Sequence, residues 1–342
     1  MGDSTATATD LDVKLEQHRV ELTGYCYRML GFSFEAEDAV QDTMVRAWRS
    51  HGKFEGRSSL RSWLYRIATN VCLDMLTAGS KRARPMDLTD SAPLARAALS
   101  TRPDNAWLEP MPDARVLPTV EDPAEAAVAK ESVRLAFMAA LQQLPAKQRA
   151  VLILREVLAW KASEVAELLD TSVASVNSAL QRARATLAER DRAGADATVS
   201  DPLDEEQQKL LERYVAAFEG YDMTALTALL HEDAVMTMPP FDLWLTGPED
   251  ITGFMTTLGA PCAGSHLVPV AVNGLPGFAQ YKPDEETGGF SPWAVQVLEI
   301  SDGRITGFHC FLDTKRWFPL FGLPLSLPLD AEAKADQIQE GE

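Results

Sequence analysis

The stretch "LPAKQRAVLILREVLAWKASEVAELLDTSVASVNSALQRARATL", residues 144–187, decides the fold of the middle of the chain. Its second half reads as two helices joined by a tight turn. Ala162–Leu169 turns Val165, Ala166 and Leu169 inward, and Asp170, Thr171 and Ser172 make the turn. A second helix starts near Val173 and packs Val176, Leu180, Ala183 and Leu187, at spacings of four, three and four. Ser175, Asn177, Ser178, Gln181, Arg182 and Ala185 then face outward. Asn and Gln form paired hydrogen bonds with adenine, and Arg does so with guanine. A helix-turn-helix lays the N-terminal half of its second helix against base edges in the major groove. Arg184, Arg190 and Arg192 are candidates for phosphate contacts. A plain helical hairpin with a solvated basic face is the competing reading. The turn spacing and polar composition favour DNA.

Upstream lies a second helical block. "AEDAVQDTMVRAWRS", from Ala36, puts Ala36, Val40, Thr43 or Met44, and Ala47 on one face, away from Asp38, Gln41, Asp42, Arg46 and Arg49. "GRSSLRSWLYRIATNVCLDML", from Gly56, buries Leu60, Leu64, Ile67, Val71 and Met75. It exposes Arg57, Arg61, Arg66 and Asn70, interleaved with Trp63 and Tyr65. Aromatic rings beside arginines offer stacking faces and phosphate partners to single-stranded DNA. A helical bundle with solvated arginines fits this block equally well.

Composition sets the frame around these blocks. A chain of 342 residues holds two or three domains. It is 46% hydrophobic and 24% charged, as in an ordinary globular protein. No apolar run reaches the roughly 20 residues of a membrane span, and "MGDSTATATDLD" has neither the basic start nor the apolar core of a signal peptide. Cys26, Cys72, Cys262 and Cys310 form no C-x-x-C pair, so they are expected as reduced, mostly buried thiols of a cytoplasmic protein without a metal site or cofactor. The formal charge is −18, and nearly all of it falls after residue 200, leaving the front nearly neutral with local basic stripes. Such a split suggests different partners for different parts.

Two stretches without helical or strand period divide the chain, the Pro-, Asp- and Ala-rich segment from Pro85 to Pro123 and "DRAGADATVSDP" at 191–202. The resulting organisation is a tail at 1–11, a helical domain at 12–80, a linker at 81–127, a helix-turn-helix domain at 128–190, a linker at 191–204, a third domain at 205–325 and an acidic tail at 326–342. The third domain opens with "EEQQKLLERYVAAFEGYD", an amphipathic helix with Leu210, Tyr214, Ala217 and Phe218 inward. Asp222 caps a short second helix, and Gly247-Pro248 opens a third. "AVMTMPP", "FDLWLTG", "HLVPVAVN", "GFAQYK", "PWAVQVLEIS" and "RITGFHCFLD" read as strands, the last two joined by the hairpin signal Asp302-Gly303. Helices followed by a curved sheet make an α+β cone. Met238, Phe241, Trp244, Phe254, Tyr281, Trp293 and His309 are candidates to line a pocket for a small ligand, with core packing as the competing reading. Asp242, His309 and Asp313 are candidate acid–base groups, although a His on an apolar strand is more often part of a core. Trp317, Phe318, Leu320 and Phe321 form an apolar tail suited to docking on a neighbour.

The two helical blocks, in this order and spacing, resemble the two domains of an extracytoplasmic-function sigma factor, and the third resembles the SnoaL-like branch of the nuclear-transport-factor-two superfamily. Together they resemble the sigma-G-like or sigma-J-like sigma factors with a C-terminal SnoaL-like domain. That resemblance implies a multidomain fold, two all-α sigma domains and then an α+β cone. It also implies a transcription factor rather than an enzyme, with core RNA polymerase and promoter DNA as partners. Asp38, Gln41, Asp42 and Arg46 would grip the coiled coil of the largest polymerase subunit. Arg57, Arg61, Trp63, Arg66 and Asn70 would melt and read the minus-ten element, with Asn70 at a flipped-out base. Ser175, Asn177, Ser178, Gln181, Arg182 and Arg184 would read the minus-thirty-five element. The linker would take the place that threads the RNA exit channel. The family often has Arg where this chain has Asn177, and a large side chain or Arg near Ala179, which implies fewer phosphate contacts and a shallower salt dependence. The cone would regulate in cis; the alternative is a SnoaL-like isomerase or hydrolase tethered to a DNA-binding module.

Overall fold

The structure, a computed structural model, describes residues 11–54, 56, 58–78, 82–91, 99–103, 106–192 and 205–328. The chain folds into two compact units. Residues 1–83 and 113–196 form one, and residues 84–112 and 197–342 form the other.

The first unit is helical. It contains α1 (Arg19–Leu30), α2 (Ser33–Ser50), α3 (Leu60–Ala78), α4 (Asp113–Val116), α5 (Pro123–Glu131), α6 (Leu135–Gln143), α7 (Ala146–Leu152), α8 (Ala162–Leu168) and α9 (Val173–Arg192). The apolar faces read from the sequence close on one another. Leu22, Tyr25, Met29, Ala36, Val40, Ala47, Leu64, Ala68 and Val71 are all buried. Gly31 ends α1 in the left-handed conformation, its N–H bonded to the Tyr27 carbonyl. Gly24 lets α4 approach, because a Cβ there would lie 2.5 Å from the Val116 carbonyl oxygen. Asp122 caps α5, its carboxylate accepting from the Ala124 N–H at 2.9 Å. α7 widens into a π-turn at Ile153–Val157, and Ala159 follows with φ 54°. In the helix-turn-helix, Asp170 turns the chain with φ 50°, and Val176, Leu180 and Ala183 of α9 are buried as their spacing predicts.

The second unit is built on one sheet. Its elements are α10 (Glu205–Glu219), α11 (Met223–Leu229), β1 (Leu230–Thr237), β2 (Trp244–Thr246), α12 (Pro248–Thr256), β3 (His266–Val272), β4 (Leu275–Asp284), β5 (Gly289–Ser301), β6 (Arg304–Phe311) and α13 (Thr314–Leu320). The strand order is β2-β1-β6-β5-β4-β3. Every pairing is antiparallel except β1 with β6. The Asp302-Gly303 hairpin forms with both residues at positive φ, as a type I′ turn requires. Asn273-Gly274 makes a second such turn between β3 and β4.

Strand alternation sends side chains to opposite faces. One face carries Met236, Phe278, Leu298, Phe308 and Cys310 against Tyr214 and Phe218 of α10 and Phe254 of α12. The opposite face carries Ala279, Tyr281, Val295 and Val297, all 0% exposed. α13 lies on that second face, with Phe318 edge-on to Tyr281 at 5.0 Å between centroids. Trp317, Phe318 and Leu320 are therefore buried on their own sheet.

The segment 84–112 also builds onto this unit. Pro112 bridges Val272, and Thr101 bridges Phe241. Trp107, Leu108 and Met111 are at most 3% exposed. Within the stretch from Pro85 to Pro123, read as lacking helical or strand period, the structure places a 3-10 turn at Pro85–Asp87, α4 and the first residue of α5.

Candidate functional site

The proposed polymerase-contacting side chains lie on one side of α2. Asp38, Gln41 and Arg46 are exposed, and Asp42 is half-buried and paired with Arg46 at 2.8 Å. Asp74 lies 3.8 Å from Arg46. Trp48, 56% exposed, and Val45 stand beside them as uncovered apolar side chains.

The minus-ten set is only partly open. Arg57 lies outside the described residues. Trp63 is half-buried and packs on Phe54 at 4.9 Å. Asn70 and Arg66 are exposed on α3. Arg66 donates to the Glu167 carbonyl of α8 at 2.6 Å. Arg61 pairs with Glu21 at 2.7 Å and lies over the rings of Tyr65 and Trp160. The minus-thirty-five set stands along α9, with Ser175, Asn177, Gln181, Arg182 and Arg184 exposed and Ser178 half-buried. Arg182 donates to Ser178 Oγ at 2.6 Å, and Arg184 pairs with Glu156 at 2.6 Å.

The seven candidates for a pocket in the cone do not line one cavity. Met238 and Phe254 belong to the core under α10, with Phe241 packed against it. Tyr281 and His309 point to the opposite face, and Trp244 donates from Nε1 to the Thr89 carbonyl at 2.9 Å. Trp293 falls at a bulge between Gln280 and Tyr281 of β4 and is 37% exposed, its ring under the Lys282 ammonium. Period-two alternation, shifted at that bulge, separates residues that looked adjacent.

A polar chain runs through the cone interior instead. Tyr214 Oη donates to Gln296 Oε1 at 2.8 Å, Gln296 Nε2 to Gln280 Oε1 at 2.9 Å, Gln280 Nε2 to Ser265 Oγ at 2.9 Å, and Ser265 Oγ to the Cys262 carbonyl at 2.7 Å. Burial pushes the Tyr214 hydroxyl well above its usual range and holds it neutral, as a donor. The candidate acid–base groups are committed elsewhere. Asp242 pairs with Arg102, Asp313 sits at the start of α13, and His309 Nδ1 meets Thr237 Oγ1 at 2.9 Å. The four cysteines are free and buried. Among the described residues no three His, Cys, Asp or Glu gather as a metal site, and no helix is long and apolar enough to cross a membrane.

Sequence reasoning missed how firmly the described residues of 99–112 are held. Asn273 binds Met111 twice, its N–H donating to the Met111 carbonyl and its Oδ1 accepting from the Met111 N–H, both at 3.0 Å. Glu109, 2% exposed, pairs with Arg316 of α13 at 2.8 Å. Arg102 pairs with Asp242, and Asp242 donates its N–H to the Ser100 carbonyl at 2.9 Å. Trp107, Leu108, Glu109, Pro239, Pro240, Phe311, Asp313, Arg316 and Trp317 line a cleft where the segment crosses the sheet. The signal was present: "WLEPM" concentrates large apolar residues inside an otherwise polar, Pro-rich stretch.

Family models place these observations. Residues 15–82 match Sigma-70 region 2, residues 134–187 match Sigma-70 region 4, and residues 206–317 match the Nuclear transport factor 2 (NTF2) domain. The chain is 42% identical over 323 residues to the ECF RNA polymerase sigma factor SigG of Mycobacterium tuberculosis, covering 93% of this chain and 85% of that protein. It is 29% identical over 224 residues to SigJ of the same organism, covering 66% of this chain and 63% of that protein. The crystal structure of Mycobacterium tuberculosis SigJ shares the fold, with a TM-score of 0.57 at 22% identity over 92% of this chain and all of that one. With both sigma regions and the NTF2-like sheet in the same order along nearly the whole chain, the protein belongs to the extracytoplasmic-function (ECF) sigma factors, the non-enzymatic initiation factors that direct RNA polymerase to promoters.

Proposed function

We propose that the NTF2-like domain regulates this sigma factor in cis by fixing the path of the chain between its two sigma regions. The observation that carries this reading is the burial of residues 107–112 on the sheet unit, through Trp107, Leu108, Met111 and the Glu109–Arg316 pair. Region 2 ends before this segment, and region 4 follows it. A domain that grips the segment controls how far apart the two regions travel. Within this reading α2 meets the polymerase through Asp38, Gln41, Asp42 and Arg46. α3 reads the minus-ten element through Arg57, Arg61, Trp63, Arg66 and Asn70, and α9 reads the minus-thirty-five element through Ser175, Asn177, Ser178, Gln181, Arg182 and Arg184. Inside the cone Tyr214, Gln296, Gln280 and Ser265 are hydrogen-bonded to one another, which favours a gripping domain over one that houses a small ligand.

Run-off transcription by the reconstituted holoenzyme tests the reading. Arg316→Ala leaves the Glu109 carboxylate buried without this partner and loosens the grip, whereas Lys315→Ala removes an exposed charge of the same helix and serves as control. Arg316→Ala is expected to change transcript yield severalfold, with the sheet unit still folded by hydrogen exchange. Unchanged yield in Arg316→Ala and in a Trp107→Ala variant would remove the regulatory role.

A further inference from the structure

Three donors of region 2 converge on one carboxylate that lies outside the minus-ten set, that of Glu21. Glu21 stands in the first turn of α1, where the aligned peptide dipoles of a helix favour negative charge. His18 Nδ1 lies 2.6 Å from its Oε1, and since a carboxylate only accepts, the imidazole presents an N–H there. Arg61 donates from Nε to Oε2 at 2.7 Å, and the Tyr65 hydroxyl donates to the same oxygen at 3.2 Å. Burial pushes the Tyr65 hydroxyl above its usual range, which holds it neutral and keeps it a donor. The Glu21 side chain is 17% exposed, so these partners rather than water hold it in place.

The contact is tertiary, for Glu21 is 40 positions from Arg61 and 44 from Tyr65. Which atom of Arg61 it uses decides what it does. Nε is on the stem side of the guanidinium. The outer edge carries both amino groups and is suited to a bidentate pair with a phosphate. The Arg61 side chain is 42% exposed, with its guanidinium over the Tyr65 ring at 5.2 Å. A long side chain gives up rotamer freedom when it binds a phosphate, and a stem already held by Glu21 and Tyr65 has less to give up.

Glu21 acts on nearby DNA in two opposing ways. Its charge repels a phosphate and offsets the charge of Arg61, whereas its hold on Nε aims the guanidinium. A phosphate on the outer edge of Arg61 lies farther from Glu21 than the guanidinium does, and solvent and salt screen a repulsion over that distance. Aim is set by a short directional bond and is not screened. Positioning therefore outweighs repulsion.

We propose that Glu21 is a positioning residue for the minus-ten strand: it holds Arg61 by Nε so that the outer edge of the guanidinium meets a backbone phosphate of the melted DNA, while His18 and Tyr65 hold Glu21. The inference rests on the assignment of Arg61 to the minus-ten element. Because Glu21 acts through Arg61, removing either residue loses the same contact, and removing both loses no more. One lost phosphate contact flattens the log–log salt dependence of single-strand binding by about 0.7. A fourfold rise in salt then weakens the parent about 2.6-fold more than the variant.

Holoenzyme reconstituted from core RNA polymerase and the full chain tests this. The probe is a fluorescent single strand carrying the non-template minus-ten segment of a promoter that the holoenzyme transcribes, titrated over a range of salt. Glu21→Ala is expected to weaken binding severalfold at low salt and to flatten the salt slope by about 0.7. Glu16→Ala removes an exposed carboxylate close by in sequence and controls for charge alone; it is expected to bind no more weakly than the parent. Tighter binding by Glu21→Ala, as loss of a repelling charge alone would give, overturns the proposal. So does weaker binding with the parental slope, the mark of a merely structural role. Arg61→Ala and the double variant should match Glu21→Ala, and losses that add in the double variant would show Glu21 acting apart from Arg61. A loss in Arg61→Ala with none in Glu21→Ala removes the positioning role alone. No change in Arg61→Ala removes the assignment of Arg61 to DNA and the positioning role with it. Should Glu21→Ala not assemble with core polymerase, Arg61→Lys decides, because lysine keeps the charge and has no Nε–H on its stem for Glu21 to hold. Weaker binding by Arg61→Lys supports the proposal, and parental affinity and slope overturn it.

Discussion

The interior of the cone and the contact between the sigma regions both bury polar groups, and they treat them in opposite ways. In the cone, Tyr214, Gln296, Gln280 and Ser265 pass donors to acceptors in one direction and finish on a backbone carbonyl. Between regions 2 and 4, two uncompensated arginines, Arg28 and Arg149, and several unpaired donors share the buried surface. A fully satisfied network adds specificity and rigidity to a core, whereas a partly satisfied one raises the free energy of the packed state. The lesson is that burial by itself does not say whether a polar group is satisfied; its hydrogen-bond partners do.

The most damaging way to break the contrast is to cut the cone network in its middle. Gln296→Leu leaves the Tyr214 hydroxyl and the Gln280 amide oxygen buried without their partner, at a cost of about 1–3 kcal/mol. Denaturant unfolding followed by hydrogen exchange in β4 and β5 would measure it. Replacing Tyr214 by Phe in the same chain should recover part of the loss, because one orphaned donor is removed. A double variant no more stable than Gln296→Leu would show that the network does not act as a unit.

A smaller effect sharpens the comparison by repeating one chemical change in both regions. Asp122 and Asp222 each cap a helix, accepting from Ala124 and Ala225 N–H groups at 2.9 Å. Loss of either cap costs about 0.5–2 kcal/mol locally. α11 is tied into the core through Leu226 and Leu229, so Asp222→Ala should lower the stability of the whole sheet unit. α5 has no buried residues, so Asp122→Ala should fray residues 123–131 in hydrogen exchange and leave global unfolding nearly unchanged. Equal global losses would erase the distinction drawn between the two regions.

The smallest expected effect is on acid stability. Glu219 is partly buried, which by itself raises its carboxyl, but hydrogen bonds from His266 and the Leu267 N–H outweigh that and hold it below 4.5. A depressed carboxyl contributes stability that is full above its unfolded value and is lost as pH falls through the folded one. Below about pH 4.5, Glu219→Gln should therefore lose stability less steeply with falling pH than the parent. An unchanged acid slope would assign the loss to other groups.

Much of the fold was legible in local pattern. The four-three-four spacing of Val176, Leu180, Ala183 and Leu187 marked the recognition helix, and Asp302-Gly303 marked its hairpin, because both signals act between residues close in sequence. Asn273-Gly274 carried the same hairpin signal and separates β3 from β4. The exposed faces of α2 and α9 followed from helical periodicity, so the residues assigned to polymerase and to the upstream element stand outward. The pocket candidates lie on different faces of the sheet because a bulge near Trp293 and the sheet's second covered face are set by strands far apart in the chain.

What the sequence by itself determined is therefore the order of the parts, their helices and strands, and the chemistry each presents. Tertiary structure alone decided which polar groups are satisfied and which are not. The Tyr214–Gln296–Gln280–Ser265 chain joins residues 82, 16 and 15 positions apart, and the Arg149–Met29 contact spans 120. It also decided that "WLEPM" lies against a sheet formed mostly more than 120 residues later. The physical reason is that a side chain's solvation depends on what packs over it. Hydrogen-bond partners brought together by packing leave no periodic trace in the sequence.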